Sequence, residues 1–395
     1  MKYALLIADG MNDRPLRELE GRTPLEVAHK PNMDELVKNS LVGLVSNVPK
    51  GFKPGSDIAI MSMLGFEPQN YYTGRGPLEA ANLGIVLSDN QVAFRCNLVT
   101  ICDGKMVDYS AGHIRSEESK VLIQELNKKL GGDKLKFYSG VSYRHLLITE
   151  GIGDELKTTP PHDIMGEEIE KYLPQGKDQE IVRELMFKSQ EILENHEVNR
   201  VRVDLGENPA NMIWLWGQGR RPSLPSFEER YGVRGFVISA VDLVNGLGKL
   251  LGLKVVKVPQ ATGYYDTNYQ GKGEYAVKNL KKYDFCFVHL EATDEAGHNG
   301  EVMEKIKAIE AFDRYIVGPV YNYLKNCGKD FRILISSDHA TPIAVRTHTD
   351  EPVAFMCAGS DIKPEIKVSS FNEKNARGTL IEYAGPQFIQ EVFFK

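Results

Sequence analysis

The stretch Phe331–Val353, FRILISSDHATPIAVRTHTDEPV, decides how the chain is read. Phe331 to Ile335 is apolar and rich in β-branched residues, which predicts a buried strand. A polar turn follows, Ser336-Ser337-Asp338-His339, and nine residues further on comes His348, between two threonines and ahead of two acids. An apolar strand that delivers an Asp and a His at its C-terminal end is how an α/β protein presents ligands to a bound ion. The same residues would also make a plain surface turn behind a core strand. Two more clusters of the same kind elsewhere in the chain favour the ligand reading.

The first lies just upstream. Tyr283 to Leu290, YDFCFVHL, reads as another buried strand and runs into Glu291-Ala292-Thr293-Asp294-Glu295-Ala296-Gly297-His298. Asp294 and His298 are four apart, which on one helical turn puts both on one side as half of an ion site. Between the two strands, Met303, Ile306, Ile309, Phe312, Ile316, Val320 and Leu324 predict one core-facing stripe of a long helix, kinked at Pro319. The second cluster opens the chain. Tyr3 to Ala8 is a doubly buried strand ending in Asp9-Gly10, where the acid could equally be a turn former. Lys50 to Ala59 is a glycine- and proline-rich loop with Ser56 at its end and a helical run behind it. Ser56 reads first as a helix N-cap, and the same geometry would suit a serine nucleophile. No GKS or GKT follows these glycines, so the loop is not a Walker P-loop.

Thr23-Pro24-Leu25-Glu26 is a capping box, and Asn32-Met33-Asp34-Glu35 reads as a second helix start; Leu41 to Ser46 is a strand. From about Val92 the texture changes. A hairpin turning at Gly104, a helix from Ser116 to Leu130, strands at 136–138 and 144–148, a helix over Ile181–Glu194 and a strand over Asn211–Trp216 give the order β-β-α-β-β-α-β. That order predicts an α+β unit inserted into a larger α/β domain: residues 1–60 with 226–395 as the mostly parallel core, and 61–225 as the insertion. Beyond it, Lys254 to Val258 reads as a strand, and Lys272 sits in a loop spanning Ala261–Gly273. Arg220 and Arg221, after a Gly-x-Gly, suit bidentate binding of phosphate or carboxylate as readily as a solvated surface.

Composition sets the outer limits. Of 395 residues, 42% are apolar and 26% charged, with a net charge of −6, which leaves no footprint for nucleic acid or an anionic membrane. The five cysteines show no CxxC pairing and predict buried thiols in a reducing compartment. No apolar run is long enough to span a bilayer, and the expected location is the cytoplasm. No GxGxxG opens the first strand–helix turn, which argues against a nucleotide-dependent dehydrogenase.

Candidate ligands thus stand at four strand ends: Asp9, Asp294 with His298, Asp338 with His339, and the region of His348. In a parallel sheet such ends share one edge, so they can converge. Carboxylates with imidazoles and no thiolate suit Mn²⁺, Zn²⁺, Co²⁺ or Mg²⁺, and two such ions would activate a serine and clamp an in-line phosphoryl transfer. His29 and His196 read as surface residues and His289 as core.

With these motifs in view, DG with PGSDIA, TDEAGHNG and SSDHATP…THTDEP, the chain resembles the alkaline phosphatase superfamily, and within it the archaeal-type cofactor-independent phosphoglycerate mutases. The likeness runs nearly end to end, through YYTGRGPLEAANLG, NMIWLWGQGRR and ATGYYDTNY. It implies a serine, Ser56, phosphorylated in turnover between 3- and 2-phosphoglycerate without 2,3-bisphosphoglycerate. It implies two divalent ions, Mn²⁺ first among them, one on Asp294, His298 and His348 and the other on Asp9, Ser56, Asp338 and His339. His113, in SAGHI, matches the family's catalytic histidine, and Arg144, Arg220, Arg221 and Lys272 are the implied substrate binders. The implied partner is a small phosphorylated substrate, held away from water by a closing second domain. A homoserine-kinase-like branch of the family, or a metal-dependent phosphomonoesterase, would use the same serine and ions.

Overall fold

The structure, a computed structural model, describes residues 1–395 and carries thirteen strands. These are β1 (Lys2–Ala8), β2 (Leu41–Ser46), β3 (Gln91–Cys102), β4 (Lys105–Asp108), β5 (Leu135–Val141), β6 (Arg144–Glu150), β7 (Met212–Arg220), β8 (Gly235–Ile238), β9 (Lys254–Val255), β10 (Phe285–Leu290), β11 (Phe331–Ser336), β12 (Val353–Gly359) and β13 (Glu382–Ala384). The chain forms two compact units, Met1–Tyr72 with Leu224–Lys395, and Thr73–Ser223. Residues 61–72, expected in the insertion, pack with the first unit: the helix that begins at Ser56 runs on to Met63, and the Tyr72 hydroxyl donates to Asp57 at 2.5 Å.

The first unit is built on an eight-stranded sheet in the order β13-β2-β12-β11-β1-β10-β8-β9. Pairing is parallel throughout except for β12, which runs antiparallel to both β11 and β2. The central strands read as unbroken apolar runs because both faces are covered: all seven residues of β1 and all six of β10 are buried. The register sets Ile7 opposite both His289 and Ser336. Asp9, Glu291 and Ser337 therefore emerge from three adjacent strands at the same C-terminal edge, and Asp294 and Asp338 follow within a few residues. Because β12 runs the other way, the β11–β12 loop that carries His348 returns to this edge.

The second unit is antiparallel, with strand order β4-β3-β6-β5 and β7 on the free side of β3. Helices Ser116–Leu130 and Gln179–Leu193 cover one face, over a core that contains Phe94, Leu147, Trp214 and Trp216. The expected alternation of strands and helices is present with two helices not anticipated. Arg75–Asn82 begins among glycines and a proline, and Glu197–Asp204 is capped by a ring nitrogen, His196 Nδ1, which accepts from the Val198 N–H at 3.2 Å.

Several local expectations are corrected. The second helix starts at Pro31, and Asn32 lies inside it, its amide donating to Asp313 rather than capping. The apolar stripe begins at Ile306, because Met303 is 59% exposed. Pro319, lacking an N–H, is preceded by a widened π-turn at Asp313–Val317, after which the helix resumes over Gly318–Asn326. The strand after Leu253 is only two residues long. Lys272 lies in the helix Tyr269–Leu280 and is fully buried, not on a loop. No helix is long and apolar enough to cross a membrane.

Candidate active site

Seven side chains from three strand ends, the β11–β12 loop and one helix start converge at the sheet edge. On one side, Asp294 and His298, spaced one turn apart on the helix Ala292–Asn299, lie 3.2 Å from each other, Oδ2 to Nε2. His348 Nε2 is 3.5 Å from Asp294 Oδ1 and 2.9 Å from His298 Nε2. His298 Nδ1 is 3.1 Å from the Arg346 carbonyl. A carbonyl only accepts, so Nδ1 carries a proton, and Nε2 is the atom turned toward Asp294 and His348. On the other side, His339 Nε2 stands 3.4 Å from Asp9 Oδ1 and from Asp338 Oδ2, and 3.2 Å from the Ser56 hydroxyl. Donor atoms of Asp294, His339 and His348, and of Asp9, Asp338 and His339, form two groups, each within 4.8 Å, with His339 common to both.

Ser56 departs from the bland reading. The N-cap of its helix is Gly55, and Ser56, the first helical residue, caps nothing; its Oγ is 3.2 Å from Asp9 Oδ2. The hydroxyl is therefore held by groups of the cluster and not spent on the helix end.

His289 and Glu291 extend the cluster beyond the sequence expectation. His289, read as core, is buried, but its Nε2 lies 3.1 Å from Asp9 Oδ2 and its Nδ1 3.7 Å from Glu291 Oε2. Residue spacing hid it, because it sits inside the strand and not in the turn after it; alternation was the available signal. Lys272 donates to the His289 carbonyl at 2.8 Å, so it braces this edge from inside and presents no surface to a ligand.

The electrostatics call for positive charge. Burial, reinforced by the charges of Asp338, Asp294 and Glu291, holds the Asp9 carboxyl well above its ordinary range. Burial, with Asp294 adding to it, pushes Glu291 up to about 8. Burial pushes His298 down, yet the hydrogen bond and charge of Asp294 outweigh it and bring the imidazole to about 9. Asp9 Oδ1, Asp338 Oδ2, Glu291 Oε2 and His289 Nε2 are buried without a hydrogen-bond partner. Orphaned buried acceptors facing one another are costly unless a cation lies among them. Hard oxygen and imidazole donors without thiolate fit divalent metal ions.

The second unit holds a different cluster. Asp108 accepts from the Ser110 N–H (2.7 Å), the Ser110 hydroxyl (2.6 Å) and the Gly112 N–H (2.7 Å), and so pins a loop in which Ala111 and His113 take left-handed φ values of 49° and 50°. Left-handed non-glycine backbone is strain that concentrates at functional sites. His113 is exposed, 6.0 Å from the Tyr143 ring. Nearby, the Arg95 guanidinium lies 4.3 Å over Trp216 with its Nε 2.9 Å from Glu79, the Arg75 guanidinium is 5.8 Å from the same ring, and Arg144 is 5.9 Å from the Tyr143 ring with its Nε buried and unpartnered. Burial first, then repulsion from Arg75 and Arg144, pulls Arg95 below the usual arginine range. Arg75 and Arg144 thus lie close enough to Arg95 to repel it, while Glu79 is paired with Arg95. Arg220 is not among them: its guanidinium is paired with Asp154 at 2.6–2.7 Å and donates to the Asp89 carbonyl at 2.9 Å. Arg221 is exposed.

Residues 37–199 match the family model described as 2,3-bisphosphoglycerate-independent phosphoglycerate mutase. A protein of that name from Methanosarcina mazei is 50% identical over 379 residues, 95% of each chain. The chain belongs to this family. A solved Pyrococcus horikoshii structure superposes with a TM-score of 0.83 at 31% identity, over 98% of this chain and 95% of that one. The cofactor-independent phosphoglycerate mutase of Thermoplasma acidophilum gives 0.68 at 28%, over 100% and 99%. The motifs that carried the resemblance are those that meet at the first cluster. The phosphoglycerate mutase reading of the second unit rested on looser matches. Sequence alone assigns no role to Arg75, within YYTGRGPLEAANLG, or to Arg95, inside a strand.

Proposed function

We propose that this chain interconverts 3-phosphoglycerate and 2-phosphoglycerate through a phosphoserine on Ser56, without 2,3-bisphosphoglycerate, and that it serves glycolysis or gluconeogenesis in the cytoplasm. The observation that carries the reading is the Ser56 hydroxyl, uncapped and within 3.2 Å of both Asp9 and His339 at the head of the carboxylate–imidazole cluster. Five free cysteines suit a reducing compartment.

Asp294, His298 and His348 would hold one divalent ion, and Asp9, Ser56, Asp338 and His339 the other, with Mn²⁺ as the native metal. Bound there, the ions supply Lewis acidity that lowers the serine pKa and neutralises the transferring phosphoryl group. The chain's own residues do the rest. Ser56 Oγ forms the bond to phosphorus as the bond to the substrate's C3 oxygen breaks, and its proton is directed at Asp9 Oδ2. In the return step the C2 oxygen of glycerate takes the phosphoryl group and the serine is restored. His113, on its strained loop, gives and takes the protons of the two glycerate oxygens. The substrate carries a carboxylate and a phosphate; the Arg144 guanidinium, its Nε unpartnered, supplies matching charge, backed by the charge of Arg95 held on Glu79, with Arg221 as a further contact. Arg220 is committed to Asp154 and Lys272 is buried, so neither suits the contact role their sequence context suggested. The inserted unit serves as the substrate and water-excluding domain, since a phosphoserine intermediate must be kept from hydrolysis.

The test is an assay of the Mn²⁺-loaded protein on 3-phosphoglycerate without bisphosphoglycerate, with 2-phosphoglycerate detected directly. Turnover is expected. ATP-dependent phosphorylation of homoserine with no mutase turnover, or release of free phosphate as the main product, would overturn the reading.

A further inference from the structure

Between the two halves of the ligand cluster stands one residue to which no role has been given. Thr341 is fully buried, two residues after His339. Its hydroxyl donates to Asp294 Oδ1 and lies 3.3 Å from His339 Nδ1. It thus touches a ligand of each half.

Space has been made for it. A Cβ on Gly10 would stand 2.5 Å from the Thr341 hydroxyl and 2.6 Å from Asp294 Oδ1, and Gly10 has a φ of +59°. A Cβ on Gly297, on the helix that carries Asp294 and His298, would stand 2.3 Å from the Thr341 carbonyl. That carbonyl is fixed in turn by Lys305 Nζ at 2.9 Å. Lys305 is itself held by Asp13 at 2.7 Å, both side chains being fully buried. Asp13 accepts from the Ile343 N–H at 3.2 Å. A buried ion pair is a poor source of stability but fixes geometry; this one anchors the backbone on both sides of Thr341.

Counting hydrogens assigns a role. A carboxylate only accepts, so the single hydroxyl proton of Thr341 goes to Asp294. Toward His339 the hydroxyl oxygen must then accept, which puts the imidazole proton on Nδ1. The Nε2 lone pair is left facing Asp9, Asp338 and Ser56. We propose that Thr341 is a positioning residue that links the two ion sites: it sets the His339 tautomer for one and orients the Asp294 carboxylate for the other. This rests on the two-ion reading above.

Two measurements test it, neither of which reads activity. Ion-free protein is titrated with Mn²⁺ alone, and bound ions are counted by electron paramagnetic resonance. Removing an outer partner of a ligand lowers metal affinity about 10–100-fold, and Thr341→Val is expected to lose that much while Thr341→Ser stays within about threefold of the native protein. Thr341→Val binding two ions with native affinity would overturn the proposal. Failure of the native protein to bind two ions would instead overturn the two-ion reading, before any variant is compared. The second measurement is the nitrogen-15 spectrum of the His339 ring in ion-free native protein, which holds whether or not the valine variant folds. A proton on Nδ1 is expected, and a proton on Nε2 would overturn the assignment.

Discussion

The two units gather charge in opposite ways. At the edge of the parallel sheet, buried carboxylates of Asp9, Asp294, Asp338 and Glu291 crowd together, and four polar atoms lack a hydrogen-bond partner. On the antiparallel sheet, Arg95 pairs with Glu79 and lies over Trp216, Arg75 is near the same ring, and Arg144 lies near Tyr143. The first cluster is short of positive charge and suited to metal cations; the second gathers positive charge, which the proposed reading assigns to an anionic substrate. The lesson lies in how each is paid for. The first is set rigidly by β-register and backbone hydrogen bonds, such as those from the Gly10 and His339 N–H groups to Asp338 Oδ1. The second relies on long side chains resting on rings.

Ser56→Ala separates chemistry from fold most sharply. Because Ser56 caps nothing, turnover should fall by about 10⁴-fold or more while unfolding free energy stays within about 0.5 kcal/mol of native; a variant near native activity would end the covalent scheme. Arg144→Ala addresses the other cluster. Loss of a charge-assisted contact of about 1.5–3 kcal/mol predicts a fall in kcat/KM of roughly 10–100-fold with Mn²⁺ affinity unchanged. If ion binding changed too, the two clusters would not be independent. Arg220→Ala is the control: its pair with Asp154 is partly exposed, so stability should fall by about 1 kcal/mol or less and kcat/KM by under about threefold.

The last effect concerns the frame beneath the first cluster and is read in stability and not in turnover. Burial raises Glu373 from 4.5 to about 7, against hydrogen bonds from the Thr23 hydroxyl and the Asp13 N–H. A carboxyl whose folded pKa is raised holds a proton that the unfolded chain has already lost. Its contribution is present below about 4.5 and is lost as pH rises through 7, by at most about 3 kcal/mol. Thermal unfolding of Glu373→Gln followed from pH 5 to 8 should therefore show a weaker decline than the native protein.

What could be read from sequence follows the same division. Strand ends of a parallel sheet are legible, because a buried strand is a continuous apolar run and the first polar residue after it marks the edge; Asp9, Asp294, Asp338 and His339 were found that way. Backbone hydrogen-bond accounting was not legible: nothing in PGSDIA says that Gly55, and not Ser56, takes the cap position. Lys272 was misplaced because glycines at 271 and 273 read as loop, whereas both lie inside a helix. Arg95 was invisible because a charged residue inside a strand gives no hint of which ring it will lie upon.

The connectivity of the large sheet has a consequence for biosynthesis. β1 pairs with β10 and β11, whose residues lie some 280–330 positions later, and one edge strand of that sheet, β13, is added only at Glu382–Ala384. The Thr73–Ser223 unit has all its partners within one continuous segment. As the polypeptide leaves the ribosome, the arginine-bearing half can mature while Lys2–Ala8, apolar and unpaired, still waits for its neighbours. That apolar strand, exposed until its neighbours are made, is a segment for a chaperone to shelter.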